Sequence, residues 1–380
     1  MVFRIHHLIF IYMLLCLCVL IFDFFYFIRE KSRNLGLEKK KKQYEIWLKG
    51  CIESEAILPL EGKARKKVLK HLSHKRNLLL FTESATEYVN LPLYREQVLK
   101  WFMVNREIFL NVFNKILKKR YQIDNAFVAY IVWQFNLCGK ESDDPFVIMM
   151  QEMVLMPSLH CRQNALCALS VSGEAKHIIK TFRLLTDHSI AHNTKLLTES
   201  LLTFTGSHSE LAKQLWEIWD ILSVEHQVAC INYFRGVTDT CCLKLLDLLW
   251  NKEADSEVHF AAIRYFRKYY YKEAAGTLQE YVLNWKKYDW KYGATSALAL
   301  ENYPGADSEQ ALLAGCRSTN WHERENAAES LLKINGADAV KEIAENEENR
   351  FAKEMLLYKH EQKVGVLKIA AHNRNTLAHS

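Results

Sequence analysis

The sequence predicts an all-α protein: an α-solenoid of antiparallel helix pairs with a period of 32–33 residues, preceded by one transmembrane helix. One observation is a segment, LHCRQNALCAL at residues 159–169, that returns near the end as WHERENAAESL at residues 321–331. Weaker copies lie between them at a steady spacing, which is typical of repeats that bury their apolar faces only against one another. The small or apolar anchors of the copies lie 32 or 33 residues apart, at Ala165, Leu197, Ala229, Ala262, Ala294 and Ala327.

The composition agrees with a large helical core. Hydrophobic residues make up 49% of the chain and charged residues 25%, which argues against disorder. Only 13 Gly and 5 Pro occur in 380 residues, which disfavours a β fold with many tight turns. Ten cysteines occur without a Cys-x-x-Cys pair, so we expect free core thiols in a reducing compartment rather than zinc ligands or disulfides.

An apolar run of 21 residues, from Leu8 to Ile28, contains a single charged side chain, Asp23. At about 1.5 Å per residue, a helix of this length crosses a hydrocarbon core of about 30 Å. A cleaved signal peptide is the alternative, but no small-x-small cleavage site follows the run. We therefore expect a retained transmembrane anchor over residues 1–29.

Basic residues flank this run asymmetrically, since only Arg4 precedes it. The positive-inside rule then places the repeats in the cytoplasm and the N-terminus outside, in a single-pass protein of the cell membrane. The basic residues after the run would also lie near anionic lipid headgroups. They are Arg29, Lys31, Arg33, Lys39, Lys40, Lys41 and Lys42.

Asp23 lies five residues inside the C-terminal end of the apolar run. One interpretation is that its carboxylate reaches the interface or pairs with Arg29. The other is that it meets a polar group on the transmembrane helix of a partner, because charged groups inside a bilayer are costly unless they are paired. The sequence leaves both interpretations open.

The chain after the anchor divides into three parts. Residues 30–121 are expected to form a basic helical linker that caps the solenoid, residues 122–362 the repeat array, and residues 363–380 a C-terminal tail. Residues 1–121 carry a net charge of +12, whereas the rest of the chain carries −6. The array therefore lacks the positive stripe of a nucleic-acid groove, and we expect no nucleic-acid ligand.

The repeat unit resembles a HEAT repeat and is closest to the short HEAT-like type also found in phycobilin lyases. The Arg-x-x-Ala pattern at Arg162–Ala165 and Arg324–Ala327 carries the match, with a capping residue before each anchor helix and a glycine after it. The resemblance covers roughly residues 122–340. It implies a generic binding scaffold whose anchor helices line a concave face. The expected capping residues are Ser158, Ser189, Ser223, Asp255 and Asn320.

No catalytic motif accompanies the repeats: the sequence contains no dinucleotide fingerprint, no Gly-x-Ser-x-Gly elbow and no Walker A loop. Some HEAT-like proteins are metal enzymes, notably deoxyhypusine hydroxylase, and resemblance to that family implies His-Glu pairs directly before the Ala-Ala of the anchor helix. The corresponding positions here are Glu325-Asn326 and Gln163-Asn164. We therefore expect no enzyme activity, no cofactor and no metal.

Five histidines stand three or five positions before an anchor, and a stacked array would align them along one rim. We expect them to be partly exposed residues of the first helical turn that bond to neighbouring caps. They are His160, His192, His226, His259 and His322.

The expected contact surface is a strip at the start of the last anchor helices. Two tryptophans open these helices beside capping residues, where side chains are less buried than in the core. Exposed aromatic residues and arginine are enriched at protein-interface hot spots. The strip comprises Trp290, Lys291, Trp321, His322 and Arg324.

Three functions from different classes are compatible with this organisation. The favoured one is a non-enzymatic membrane adaptor for a partner protein, expected to be a membrane enzyme or transport complex. Single-pass HEAT proteins of this layout resemble bacterial ones, which by analogy suggests a glycosyltransferase of envelope-polysaccharide synthesis. The alternative is a protein similar to phycobilin lyases that handles a cofactor or small molecule and would retain a chromophore. The third resembles the alkyl-purine glycosylase type of nucleic-acid-binding HEAT array, and the anchor and the acidic array count against it.

Overall fold

The structure, a computed structural model, describes residues 2–54, 56–118 and 121–378. Every regular element within these ranges is a helix, which confirms the all-α prediction. The side chains of Leu8 and Arg33 lie outside the described part of the chain. The chain divides into two compact units, residues 1–172 and residues 173–380.

The first unit contains eight of the described helices. The first of them passes without a break from the apolar run through the lysine cluster, so that it is 51 residues, or about 75 Å, long. The helices are α1 (Val2–Ile52), α2 (Gly62–Leu72), α3 (Lys75–Val89), α4 (Pro92–Val104), α5 (Arg106–Leu117), α6 (Gln122–Gln134), α7 (Pro145–Val154) and α8 (Leu159–Val171).

The C-terminal part of α1 is tied to the first unit by aromatic side chains. The ring of Trp47 lies 5.7 Å from Phe81 of α3 and 5.6 Å from Trp101 of α4, measured between ring centroids. Phe81 also stacks on Phe102 and Phe109. The side chains around Trp47 are fully or almost fully buried, namely those of Phe81, Trp101, Phe102 and Phe109. Because large aromatic rings supply much of the burial energy of a core, this cluster fixes α1 at the end remote from the apolar run.

The apolar run itself is packed against nothing in the described structure. Its large side chains between Ile9 and Ile28 are all exposed, and none of the window that meets the criteria for a membrane span is buried. By length and composition, α1 is the one described helix that could cross a membrane. Asp23 is exposed, and no ion pair of the described residues joins it to Arg29.

The second unit continues the alternation of short helices, with single 3₁₀ turns at Trp219–Ile221 and Lys272–Ala274. The α-helices are α9 (Ala175–Asp187), α10 (Thr194–Leu202), α11 (His208–Glu217), α12 (Val224–Val237), α13 (Cys242–Trp250), α14 (Ser256–Lys268), α15 (Ala275–Leu283), α16 (Trp290–Leu300), α17 (Ala306–Cys316), α18 (Trp321–Asn346) and α19 (Arg350–Ala378). Gly336 interrupts α18 with a φ of +82°, and α19 runs across position 363, where the tail was expected to begin.

The anchor helices of the second unit contact one another in succession: α10 contacts α12, α12 contacts α14, α14 contacts α16, and α16 contacts α18. All six anchors of the chain are buried. Small side chains at these positions let helix backbones approach closely, which explains the preference for alanine. All ten cysteines are free, and six of them are buried, as expected for core thiols.

Four of the five expected capping residues cap a helix in the structure, and Ser189 does not. The α10 cap is instead Asn193, whose Oδ1 accepts hydrogen bonds of 3.1 Å from the backbone N–H groups of Lys195 and Leu196. Ser189 lies in the preceding turn with a φ of +51°. Asp289, which the sequence pattern did not single out, caps α16.

Side-chain hydrogen bonds to backbone groups join successive helix pairs of the second unit. The Tyr303 hydroxyl donates to the Phe266 carbonyl at 3.1 Å and accepts from the Tyr271 N–H at 3.2 Å. Asn326 Nδ2 donates to the Ala294 carbonyl at 2.9 Å. These bonds set the register of α14, α16 and α18, because each needs one relative position of two helices.

Candidate interaction surface

The N-terminal ends of α16 and α18 bring together three side chains of the expected strip. The ring of Trp290 stacks on His322, with centroids 5.4 Å apart and an angle of 24° between the planes. Trp321 meets the same imidazole edge-on at 5.1 Å. Trp290 remains 39% exposed and Trp321 48% exposed. We call Trp290, Trp321 and His322 the aromatic cluster.

Lys291 lies beside the aromatic cluster but is engaged with the preceding anchor helix. Its Nζ is 3.9 Å from Glu257 Oε1 and 5.8 Å from the ring centroid of Phe260, both on α14. The pair is half-exposed, so its contribution to stability is small. Lys291 therefore joins α14 to α16 rather than standing free for a partner.

Arg324 is also directed into its own unit. One guanidinium nitrogen donates to the carbonyl oxygens of Ser318 and Thr319, at 2.8 and 3.0 Å. The guanidinium also lies 5.4 Å from the ring centroid of Phe351 on α19. Phe351 is 59% exposed and extends the aromatic surface beyond the expected strip. The repeat spacing did not reveal it, because α19 carries no Arg-x-x-Ala motif.

A buried carboxyl group lies directly beneath the aromatic cluster. Glu323 is 1% exposed, and its Oε2 accepts a hydrogen bond of 2.6 Å from Ser318 Oγ. Its Oε1 has no hydrogen-bond partner among the described residues. A Cβ atom at position 293 would lie 1.7 Å from Oε1, so the carboxyl fills the space that Gly293 leaves on α16. Burial raises the pKa of Glu323 to about 7.

Three of the five histidines are buried, so the prediction of a partly exposed rim is wrong for His192, His226 and His259. A residue three positions before an anchor shares its helix face, which directs His226 and His259 inward. His259 Nε2 faces the Leu248 and Asn251 carbonyls at 3.0 and 3.1 Å, and it must therefore be the donor.

His226 differs from His259 in its surroundings. Its ring packs edge-on against Phe182 at 5.6 Å, and neither ring nitrogen has a hydrogen-bond partner in the described structure. Burial lowers the pKa of His226, because it disfavours the charged imidazolium. His160 and His322 are exposed, as expected.

No group of three or more His, Cys, Asp or Glu side chains within the described ranges is placed to hold a metal ion. In the first unit, a cavity of about 560 Å³ opens beside the turn between α4 and α5. Its charged side chains are neutralised in the ion pairs Arg65–Glu107 and Arg106–Asp144. The cavity thus shows no unpaired charge that would orient a polar ligand.

The basic residues that follow the apolar run lie on the same helix, α1. Lys39, Lys40 and Lys42 are exposed, whereas Lys41 pairs with Glu87 of α3. Arg29 and Lys31 are also on α1 at the end of the apolar run.

Comparison with family models, with curated proteins and with solved structures gives no match for this chain. The resemblance to HEAT repeats rests on the spacing and the motif residues alone.

Proposed function

We propose that this chain is a membrane-anchored, non-enzymatic scaffold whose HEAT-like helical array binds a partner protein through the aromatic cluster. The observation that carries the proposal is the stack of Trp290 on His322, with Trp321 beside it, held half-exposed at two neighbouring helix ends. Burying such rings against a partner would release the water that now covers them.

The surroundings of the aromatic cluster suit a binding hot spot. Its rings contact one another at the starts of two capped helices, so less side-chain entropy remains to be lost on association. The engaged cations Lys291 and Arg324 stand at its edges as a polar rim, the arrangement found around hot spots. The partner we propose is a protein of a membrane-associated complex.

The anchor of the scaffold is the apolar part of α1. Its side chains are exposed along the whole run, which is the arrangement that lipid tails would cover. The lysines that follow support an orientation with the repeats in the cytoplasm. The succession of contacts from α10 to α18 supports a solenoid of HEAT-like pairs.

Site-specific photo-crosslinking of the full-length protein in cells tests this function. A crosslinkable residue at Thr319, an exposed neighbour of the aromatic cluster, is expected to capture one membrane enzyme or transporter. The same residue at Leu243, exposed on α13, is the control and is expected to capture none. Capture of the same proteins from both positions, or of this chain alone, would contradict the proposal.

A further inference from the structure

Helix α2 carries an exposed row of lysines that the anchor and the aromatic cluster do not explain. Its four members follow the spacing i, i+3, i+4 and i+7, which puts them on one face of the helix. All four are exposed, and none takes part in an ion pair of the described residues. We call them the lysine stripe: Lys63, Lys66, Lys67 and Lys70.

The opposite face of α2 is occupied by the first unit. Leu72 is buried, Val68 and Leu69 are half-buried, and Arg65 pairs with Glu107 of α5. The lysine stripe is therefore the free side of a fixed helix. The sequence from position 62 to position 82 contains no acidic residue that could neutralise it.

The course of the chain brings the C-terminal end of α2 back toward the apolar run. Helix α1 ends at Ile52, and α2 begins ten residues later, at Gly62. At the other end of α2, His71 Nε2 lies 2.6 Å from the hydroxyl of Tyr44 on α1. Because Tyr44 is nearer the apolar run than Ile52, the C-terminal end of α2 reaches α1 close to the exposed lysines of α1.

The lysines of the two helices share one positive field. Burial lowers the pKa of His71, and the charges of Lys40, His74 and Lys67 lower it further. The stripe and the α1 lysines thus act on the same imidazole. A field of this kind attracts anions rather than a specific apolar ligand.

We propose that the lysine stripe, together with the exposed lysines of α1, binds the anionic surface of the bilayer in which α1 is anchored. Lys40 lies 12 residues beyond Ile28, which is about 18 Å along the helix axis. A headgroup layer of about 5–8 Å leaves a gap of about 10–13 Å, close to the Debye length of about 8–10 Å. A tilt of the helix, usual for transmembrane segments, shortens this gap.

This surface would hold the first unit close to the membrane, in addition to the attachment through α1. The inference rests on the membrane anchor of the proposed function and is independent of the partner protein. The membrane anchor is tested first, by the resistance of the reconstituted protein to extraction at alkaline pH. A protein that is extracted lacks the anchor. A protein that resists extraction but shows no protection of the stripe has the anchor without the lysine contact.

Pulse acetylation of lysines in the full-length protein, reconstituted in vesicles, tests the proposal. Cleavage after Glu61 and Glu83 releases the whole stripe in one peptide for mass spectrometry. Adding about 30% phosphatidylglycerol to phosphatidylcholine is expected to slow acetylation of the stripe about threefold or more at low salt, and high salt is expected to restore the rate. Exposed Lys213 and Lys252 of the second unit should not change.

Charge reversal gives the matched variants. K67E/K70E is expected to abolish the effect of phosphatidylglycerol on Lys63 and Lys66, and K213E/K252E to leave it intact. Equal acetylation of the stripe in both kinds of vesicle would overturn the proposal. Protection by an added oligonucleotide without protection by phosphatidylglycerol would overturn it in favour of a nucleic-acid ligand.

Discussion

At the scale of single residues, the contact of Glu323 with Gly293 leaves no room for another atom. An alanine at position 293 would put its Cβ 1.7 Å from Glu323 Oε1, so the carboxyl or α16 would have to move. We expect Gly293→Ala to lower the free energy of unfolding by about 1–3 kcal/mol. Urea unfolding of the full-length protein in detergent, followed by tryptophan fluorescence, measures the loss.

Gly276 provides the control for this substitution. It lies in α15, and a Cβ there would meet nothing within 4 Å. We expect Gly276→Ala to leave stability unchanged or to raise it by up to about 1 kcal/mol, because alanine is the better helix former. Equal effects of the two substitutions would contradict the close contact at Gly293.

The Glu323 carboxyl also predicts a pH dependence of stability. Burial raises its pKa in the folded state from 4.5 to about 7, so between these values the folded state holds a proton that the unfolded state has released. The contribution of this protonation to the free energy of unfolding is therefore fully present below about pH 4.5. It is lost as the pH rises toward 7, by up to about 3 kcal/mol in total.

Glu323→Gln removes this titration, since its amide is neutral at every pH. The difference in unfolding free energy between the variant and the natural protein should therefore grow in favour of the variant from pH 4.5 to pH 7 and then level off. Denaturation series across this range measure it, with the exposed Glu348→Gln as control. A constant difference would show that Glu323 does not titrate there.

At the scale of helices, buried tyrosine hydroxyls join one repeat to the next. Tyr303→Phe keeps the ring but leaves the Phe266 carbonyl and the Tyr271 N–H without this partner. We expect it to cost about 1–3 kcal/mol of unfolding free energy. Tyr270→Phe alters a ring that is 60% exposed and should change stability by less than about 0.5 kcal/mol. Thermal and urea unfolding of both variants measure the two effects. Equal losses would indicate a general effect of removing a hydroxyl rather than the loss of hydrogen bonds that join two helices.

Helix positions differ in how far the sequence could predict them. The anchors were predictable because a small residue recurs at the helix-to-helix contact every 32 or 33 positions. The inward direction of His226 and His259 was implied by the same period, since residues three apart share a face. The α10 cap was not predictable by pattern alone, because Ser189 and Asn193 are both good caps in one loop and the fold of that loop decides between them.

The sequence did not reveal that Glu323 is buried, because its position relative to Asn320 is also the pattern of an exposed capping glutamate. It stands three positions after the Asn320 cap, where a glutamate usually bonds back to the capping residue at the surface. Here Ser318 takes that role, since its Oγ donates to Glu323 and accepts from the Asn320 N–H at 3.1 Å. The carboxyl fits there only because Gly293 of the neighbouring helix α16 has no side chain.

At the scale of the whole molecule, the described chain combines an exposed apolar helix with many short helices, some of which present exposed aromatic rings. The all-helical class and the helix that could cross a membrane followed from composition and from run length. The division at residue 172 did not, because the first repeat motif packs with the N-terminal helices and no composition change marks that position. The sequence alone did not show that the end of the lysine stripe lies near the α1 lysines, because that proximity depends on the contact of His71 with Tyr44.

The aromatic cluster is proposed to bind a membrane partner, and the amount of that partner recovered with variants of the cluster tests this most directly. The crosslinked partner is quantified after mild detergent extraction of the natural protein, of W290A/W321A, and of W250A, which removes another exposed tryptophan. We expect W290A/W321A to lower recovery about tenfold or more, as loss of a hot spot should, and W250A to leave it unchanged. Undiminished recovery with W290A/W321A in a protein that remains folded would contradict the claim.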